Sequence, residues 1–135
     1  PVLVSSGVKS HGKFLMGVVE GDLHDLGKNI VKAMLRANGF EVVDLGVDVP
    51  VEKFVEAVKA EKPDILGIGA YMSTTMGQLK EVIDAVEAAG LRKGMKITAA
   101  GVCVTEKAAL ESGADAWGGD AMHTVNLAKQ YVGVN

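Results

Sequence analysis

At 135 residues the chain has the length of one domain, and 48% hydrophobic with 23% charged residues is the balance of an ordinary globular protein. A net charge of -3 without a basic stripe argues against nucleic acid as a partner, and no apolar run is long enough to cross a bilayer. The single cysteine, Cys103, excludes an internal disulfide framework and fits a reducing compartment; with no signal peptide visible, a cytoplasmic domain without membrane contact is expected.

Residues 1–13, with Ser5, Ser6, Gly7, Ser10 and Gly12 and no initiator Met, read as a linker following material that lies before Pro1. From Phe14 onward a short apolar run, a turn and an amphipathic stretch recur. The runs Phe14–Val19, Glu41–Leu45, Ile65–Ala70, Met95–Ala99 and Ala114–Trp117 predict five strands, most of them short and strongly apolar as buried parallel strands are. The stretches between them have helical spacing. Ile30, Val31, Met34 and Leu35 share a face that stops at Asn38-Gly39; Phe54, Val55 and Val58 follow Pro50 and end before Pro63. Met76, Leu79, Val82, Ile83 and Val86 form the longest stripe, Thr105 and Gly113 bracket a fourth helix, and Asp120 caps a fifth that reaches Val132.

Five β-α repeats predict a single α/β domain over 14–135: a Rossmann-like, flavodoxin-like five-stranded parallel sheet flanked by helices, with strand order 2-1-3-4-5. In such sheets ligands bind at the carboxyl ends of the strands. The loops there are Glu20–Gly27, Gly69–Thr75, Ala99–Thr105 and Gly118–Asp120, and they hold most of the unusual glycine and polar chemistry, whereas Gly46–Val49 is bland.

The first loop is the richest. Asp22 is placed to accept a hydrogen bond from one nitrogen of His24 and leave the other free as a ligand, an arrangement that fixes the tautomer of a metal-bound histidine. Gly27 lets a bulky planar group approach the helix start. The same residues also allow a blander reading, in which Asp22 or Asp25 caps the helix and His24 is a solvated loop residue; on the residues alone both stand. Ser73, Thr74 and Thr75 supply three hydroxyls, of which helix capping at Thr74 or Thr75 accounts for one. Small residues at Gly67, Gly69, Ala70, Ala99, Ala100 and Gly101 either tighten packing or leave a slot between strands three and four for a long thin group. Cys103 reads as a packing residue, since neither His11 nor His123 is placed to activate it, and both histidines read as surface residues. Charged helix residues such as Glu52-Lys53 and Lys80-Glu81 read as solvated faces. Zinc-type clusters, a phosphate loop and a dinucleotide fingerprint are absent from the sequence.

Gly21-Asp22-Leu23-His24-Asp25-Leu26-Gly27-Lys28-Asn29-Ile30-Val31 resembles the D-x-H-x-x-G motif of cobalamin-binding domains, and Phe40–Pro50 is similar to the segment that follows it there. The resemblance spans about 14–132 and is strongest to the methyltransferase branch, the small corrinoid proteins and the cobalamin domain of methionine synthase. Two stretches depart from the family. Gly69-Ala70-Tyr71 stands where it has S-x-L, its Ser helping to hold the base of the nucleotide tail, and Ala100-Gly101 stands where it has Gly-Gly. The resemblance implies a base-off, His-on cobamide with His24 as the lower cobalt ligand, Asp22 behind it, and Thr75 extending the hydrogen-bond chain. It further implies a tail site formed by Gly69, Tyr71, Ser73, Thr74 and Thr75, by Ala100, Gly101, Val102 and Cys103, and by Gly118, Gly119 and Asp120. The implied role is carriage of a methyl group between methyltransferase subunits, with a reductive activase as a further partner and a helical cap domain before residue 14. Three alternatives carry other functions: the cobalamin domain of an adenosylcobalamin-dependent mutase, a cobalamin-sensing module, and a flavodoxin-like domain without a corrinoid whose Asp22 and Asp25 hold a cation.

Overall fold

A computed structural model of the chain describes residues 11–133. Its strands are β1 (Lys13–Val18), β2 (Glu41–Asp44), β3 (Ile65–Gly69), β4 (Lys96–Ala100) and β5 (Ala116–Gly118). They alternate with α1 (Leu26–Ala37), α2 (Val51–Glu61), α3 (Gly77–Ala88), α4 (Glu106–Glu111) and α5 (Ala121–Val132). All neighbours are parallel, in the expected order β2-β1-β3-β4-β5. The linker reading of residues 1–13 falls outside the described residues except at its end, where Lys13 already belongs to β1.

Strand side chains alternate between faces, and here the alternation divides the labour. Leu15, Leu66, Ile68, Ile97 and Ala99 point to one face and pack under α2, α3 and α4, where Phe54, Val58, Leu79, Val82, Ile83, Val86 and Ala109 complete the larger core. Phe14, Met16, Val42 and Ile65 point to the other, under Leu35 of α1 and Val125 and Ala128 of α5. Helix ends follow local chemistry: Thr105 accepts from Ala108 N–H and Asp120 from His123 N–H, while α2 stops at left-handed Lys62 before Pro63.

One stripe differs from the sequence expectation. Ile30 is exposed, and the inward face of α1 runs through Lys28, Val31 and Leu35, spaced i, i+3 and i+7. Lys28 is 7% exposed. Its ammonium group bonds to Asp44 Oδ2 at 2.6 Å and Asn29 Oδ1 at 2.7 Å, and Lys32 reaches the same Asp44 oxygen at 2.8 Å. Burial opposes ionisation of Asp44, but the Lys28, Lys32 and Gly46 N–H hydrogen bonds outweigh it and hold the carboxyl below its usual range. The carboxylate therefore contributes stability above the unfolded aspartate value of about 3.9, and that contribution fades as pH falls through the lower folded value. Asp44→Asn leaves the buried Lys28 charge poorly paired. Urea unfolding is expected to find the variant about 2–3 kcal/mol less stable at pH 7, with the difference shrinking as the pH drops below about 4.

Candidate functional site

The crossover after β1 runs to β2 on one side and the crossover after β3 runs to β4 on the other, so the loops after β1 and β3 diverge and open a crevice at the carboxyl edge of the sheet. One side chain ties the two loops together. Asp22 is fully buried, and its carboxylate accepts four hydrogen bonds. Oδ1 accepts from His24 Nδ1 at 2.7 Å and from His24 N–H at 3.2 Å; Oδ2 accepts from Tyr71 N–H at 2.7 Å and from the Thr75 hydroxyl at 2.8 Å. Burial alone would raise the Asp22 pKa, but the donors from Tyr71, His24 and Thr75 prevail and hold it below the usual value. An ionised carboxylate can only accept, so His24 Nδ1 carries the proton and Nε2 keeps its lone pair in the neutral ring. The His24 side chain is 58% exposed, and its Nε2 makes no hydrogen bond among the described residues.

The capping alternative does not hold. Asp25 occupies the N-cap position of α1 without a side-chain capping bond, and Asp22 is committed to His24, Tyr71 and Thr75. Nor does Thr74 or Thr75 cap α3, whose N-cap is Met76 with no side-chain bond. The Thr75 hydroxyl bonds to Asp22 and to Met72 O, while Ser73 and Thr74 are exposed. The loop after β2, bland in sequence, clamps this arrangement: Asp48 Oδ1 accepts from Gly21 N–H at 2.7 Å, and Asp48 N–H donates to Asp22 O at 2.9 Å. Asp48 does so in a left-handed conformation, φ 53°.

A slot runs beneath the crevice, but not between strands three and four. β3 and β4 are hydrogen bonded in register through Gly67↔Thr98 and Gly69↔Ala100, which closes the gap between them. The space lies on their face instead, under α1 and α5, where Gly67, Gly69 and Ala100 carry little or no side chain and the side chains of Phe14, Tyr71 and Thr124 fold over Gly67, Gly69 and Gly118. Phe14, Lys28, Val31, Thr98 and Thr124 line it, Tyr71 stands at its mouth, and it encloses about 40 Å³, room for a few water molecules.

The remaining predicted residues form the rim or brace it. Leu23, Leu26 and Val102 are exposed apolar side chains around His24's loop and the β4–α4 loop. Cys103, expected to pack, is exposed, with its thiol 3.4 Å from Tyr71 O. Asp120 is engaged in capping α5, and Gly119 N–H donates to His123 Nδ1. Lys28 and Asp48 were not singled out by the sequence; for Lys28 the signal was its i, i+3, i+7 spacing with Val31 and Leu35. No group of three or more His, Cys, Asp or Glu residues suited to a metal ion occurs among the described residues, which leaves no cation cage for Asp22 and Asp25. A metal held by His24 Nε2 alone must bring its other ligands with it, as a metal in a tetrapyrrole does, and the open apolar rim suits such a macrocycle.

The profile of the B12 binding domain matches residues 12–126. The chain is 41% identical over 122 residues to dimethylamine corrinoid protein 2 of Methanosarcina acetivorans, a match covering 90% of this chain and 56% of that protein. Among solved structures it superposes with a TM-score of 0.88 and 38% identity on a cobalamin-binding protein from Desulfitobacterium hafniense, covering 95% of this chain and 62% of that one. The methanol:cobalamin methyltransferase complex MtaBC of Methanosarcina barkeri gives the same TM-score and identity over 95% of this chain and 49% of that one. The chain thus spans a little over half the length of the curated relative.

Thr75→Val keeps the shape and removes one of the four donors to Asp22. The expected outcome is a loss of about 1–2 kcal/mol in chemical unfolding, with the Asp22 carboxyl pKa, followed by carbon-13 NMR, moving up toward the ordinary range.

Proposed function

The chain belongs to the B12-binding domain family, and on that premise we propose that it is a corrinoid protein of a methyltransferase system, in which His24 is the lower axial ligand of a base-off, His-on cobamide. The observation that carries this is the Asp22–His24 pair: a fully buried carboxylate fixes Nδ1 as the donor and leaves Nε2 of a largely exposed ring without a partner among the described residues. The bound corrinoid would supply the cobalt centre that accepts and gives up a methyl group. The residues of the chain then have separate tasks. His24 would hold the cofactor through Nε2. Asp22 would keep the ring oriented and the Nδ1 proton in place, and its carboxylate would balance the charge of a ring protonated on both nitrogens. Thr75 and the Tyr71 N–H hold Asp22, and Asp48 holds the loop that carries both. Leu23, Leu26 and Val102 would supply apolar surface for the macrocycle, and the slot lined by Gly67, Gly69 and Ala100, with Gly118 at its edge, would hold the nucleotide tail.

On this reading the chain acts as a carrier between methyltransferase subunits that bind donor and acceptor, with a reductive activase restoring the cofactor after oxidation. The names of the relatives, a dimethylamine corrinoid protein and a methanol:cobalamin methyltransferase complex, support a carrier over a mutase.

Reconstitution of purified protein with a cobamide tests the reading. The wild-type cobalt(II) form is expected to show one strongly coupled axial nitrogen in its electron paramagnetic resonance spectrum, and His24→Ala to lose it while keeping the circular dichroism of the fold. Asp22→Asn is expected to weaken axial ligation by about 10- to 100-fold. A protein that stays colourless after reconstitution, or a His24→Ala spectrum with the nitrogen coupling intact, contradicts the proposal.

A further inference from the structure

The Tyr71 ring lies in a seat made by two glycines. A Cβ on Gly27, at the start of α1, would stand 2.8 Å from the Tyr71 hydroxyl and 3.1 Å from Cε1; a Cβ on Gly69, at the end of β3, would stand 3.2 Å from Cε2. The ring is therefore wedged between α1 and β3 at the mouth of the slot, 5.9 Å from the His24 ring and tilted 33° to it. The planar group that approaches Gly27 in this structure is the protein's own side chain.

How the residue is held matters as much as where it lies. The Tyr71 backbone is pinned, its N–H on Asp22 and its carbonyl against the Cys103 thiol. The side chain is not: its hydroxyl makes no hydrogen bond among the described residues, and only packing keeps the ring in place. The slot encloses about 40 Å³, far too little for a nucleotide. A tail can enter only if something moves, and β1, β3 and β4 are locked in register. Of the two rings in the slot, Phe14 over Gly67 is fully buried in the core, whereas the untethered Tyr71 ring is only half-buried and has solvent to turn into.

We infer that Tyr71 is a specificity-determining residue for the cobamide tail: its ring occupies the tail's entrance and swings aside, about its side-chain bonds and without disturbing the Asp22 relay, when a tailed corrinoid binds. This rests on the corrinoid reading above. Occupancy of the mouth by the ring lowers the apparent affinity for tailed corrinoids by the fraction of chains in which the ring is open, so an open fraction on the order of one tenth weakens it about tenfold. A corrinoid without a tail does not meet the ring in the slot.

Hydroxocobalamin, which carries a tail, and cobinamide, which lacks one, separate these cases. Each is titrated into wild type, Tyr71→Ala and Tyr71→Phe by absorbance, with association followed by stopped flow and the fold checked by circular dichroism. Tyr71→Ala is expected to bind hydroxocobalamin about tenfold more tightly and faster, with cobinamide changed less than about twofold, and Tyr71→Phe to behave as wild type because the ring is what blocks the slot. Equal effects of Tyr71→Ala on both corrinoids, or weaker hydroxocobalamin binding by that variant, overturns the inference while leaving the corrinoid reading intact. Wild type that binds neither compound overturns the corrinoid reading itself.

Discussion

The Asp22 carboxylate is the constraint on which the site depends. A fully buried charge is costly unless its lone pairs are used, and here four donors from two loops converge on two oxygens. Those donors come from opposite sides of the point where the chain's crossovers diverge, so satisfying one carboxylate also fixes the distance between the loops. The ring of His24, the backbone of Tyr71 and the hydroxyl of Thr75 are positioned by the same need. Asp48 adds a third loop to this assembly through Gly21. A histidine held in this way enters a metal's coordination sphere with little further ordering, which favours ligation.

Beneath this polar knot lies a sheet whose two faces are built differently. One face is conventional, with Leu66, Ile68, Ile97 and Ala99 packed under three helices. On the other, the middle of the sheet carries Gly67, Gly69 and Ala100, and α1 and α5 bridge over a shallow void rather than closing on it. Left without large side chains there, the region buries less apolar surface than a filled layer would. Lys28 sits at its margin, neutralised by Asp44, and shares that carboxylate with Lys32.

Much of this was legible in the sequence because the governing signals are local. Five apolar runs separated by helical stripes are enough to give the strand order, since short right-handed crossovers leave few choices. The Asp22–His24 pair was also readable, because a single residue separates the partners and the geometry of a turn brings them together. What escaped depends on distance along the chain. Asp48 meets Gly21 across 27 residues, and nothing in Gly46–Val49 announces a left-handed clamp. Lys28 looks like a surface lysine until the helix is folded: Val31, Met34 and Leu35 face inward as expected, but the edge of that face runs through Lys28 and not Ile30. The small residues alone leave close packing and a slot between strands three and four both open, because composition shows that side chains are missing and only strand register shows on which face the space lies. Tyr71 was counted among the site residues, yet its place as an occupant of the slot's mouth follows only from the folded positions of Gly27 and Gly69.

The alternation along β3 has a mutational consequence. Leu66 and Ile68 belong to the hydrophobic core, while their neighbours Gly67 and Gly69 face the slot, so a substitution at one position acts on one layer and leaves the other in place. The two layers are interleaved residue by residue on a single strand. A one-residue insertion is the change that would couple them again, by turning the large side chains toward the void and the glycines toward the core.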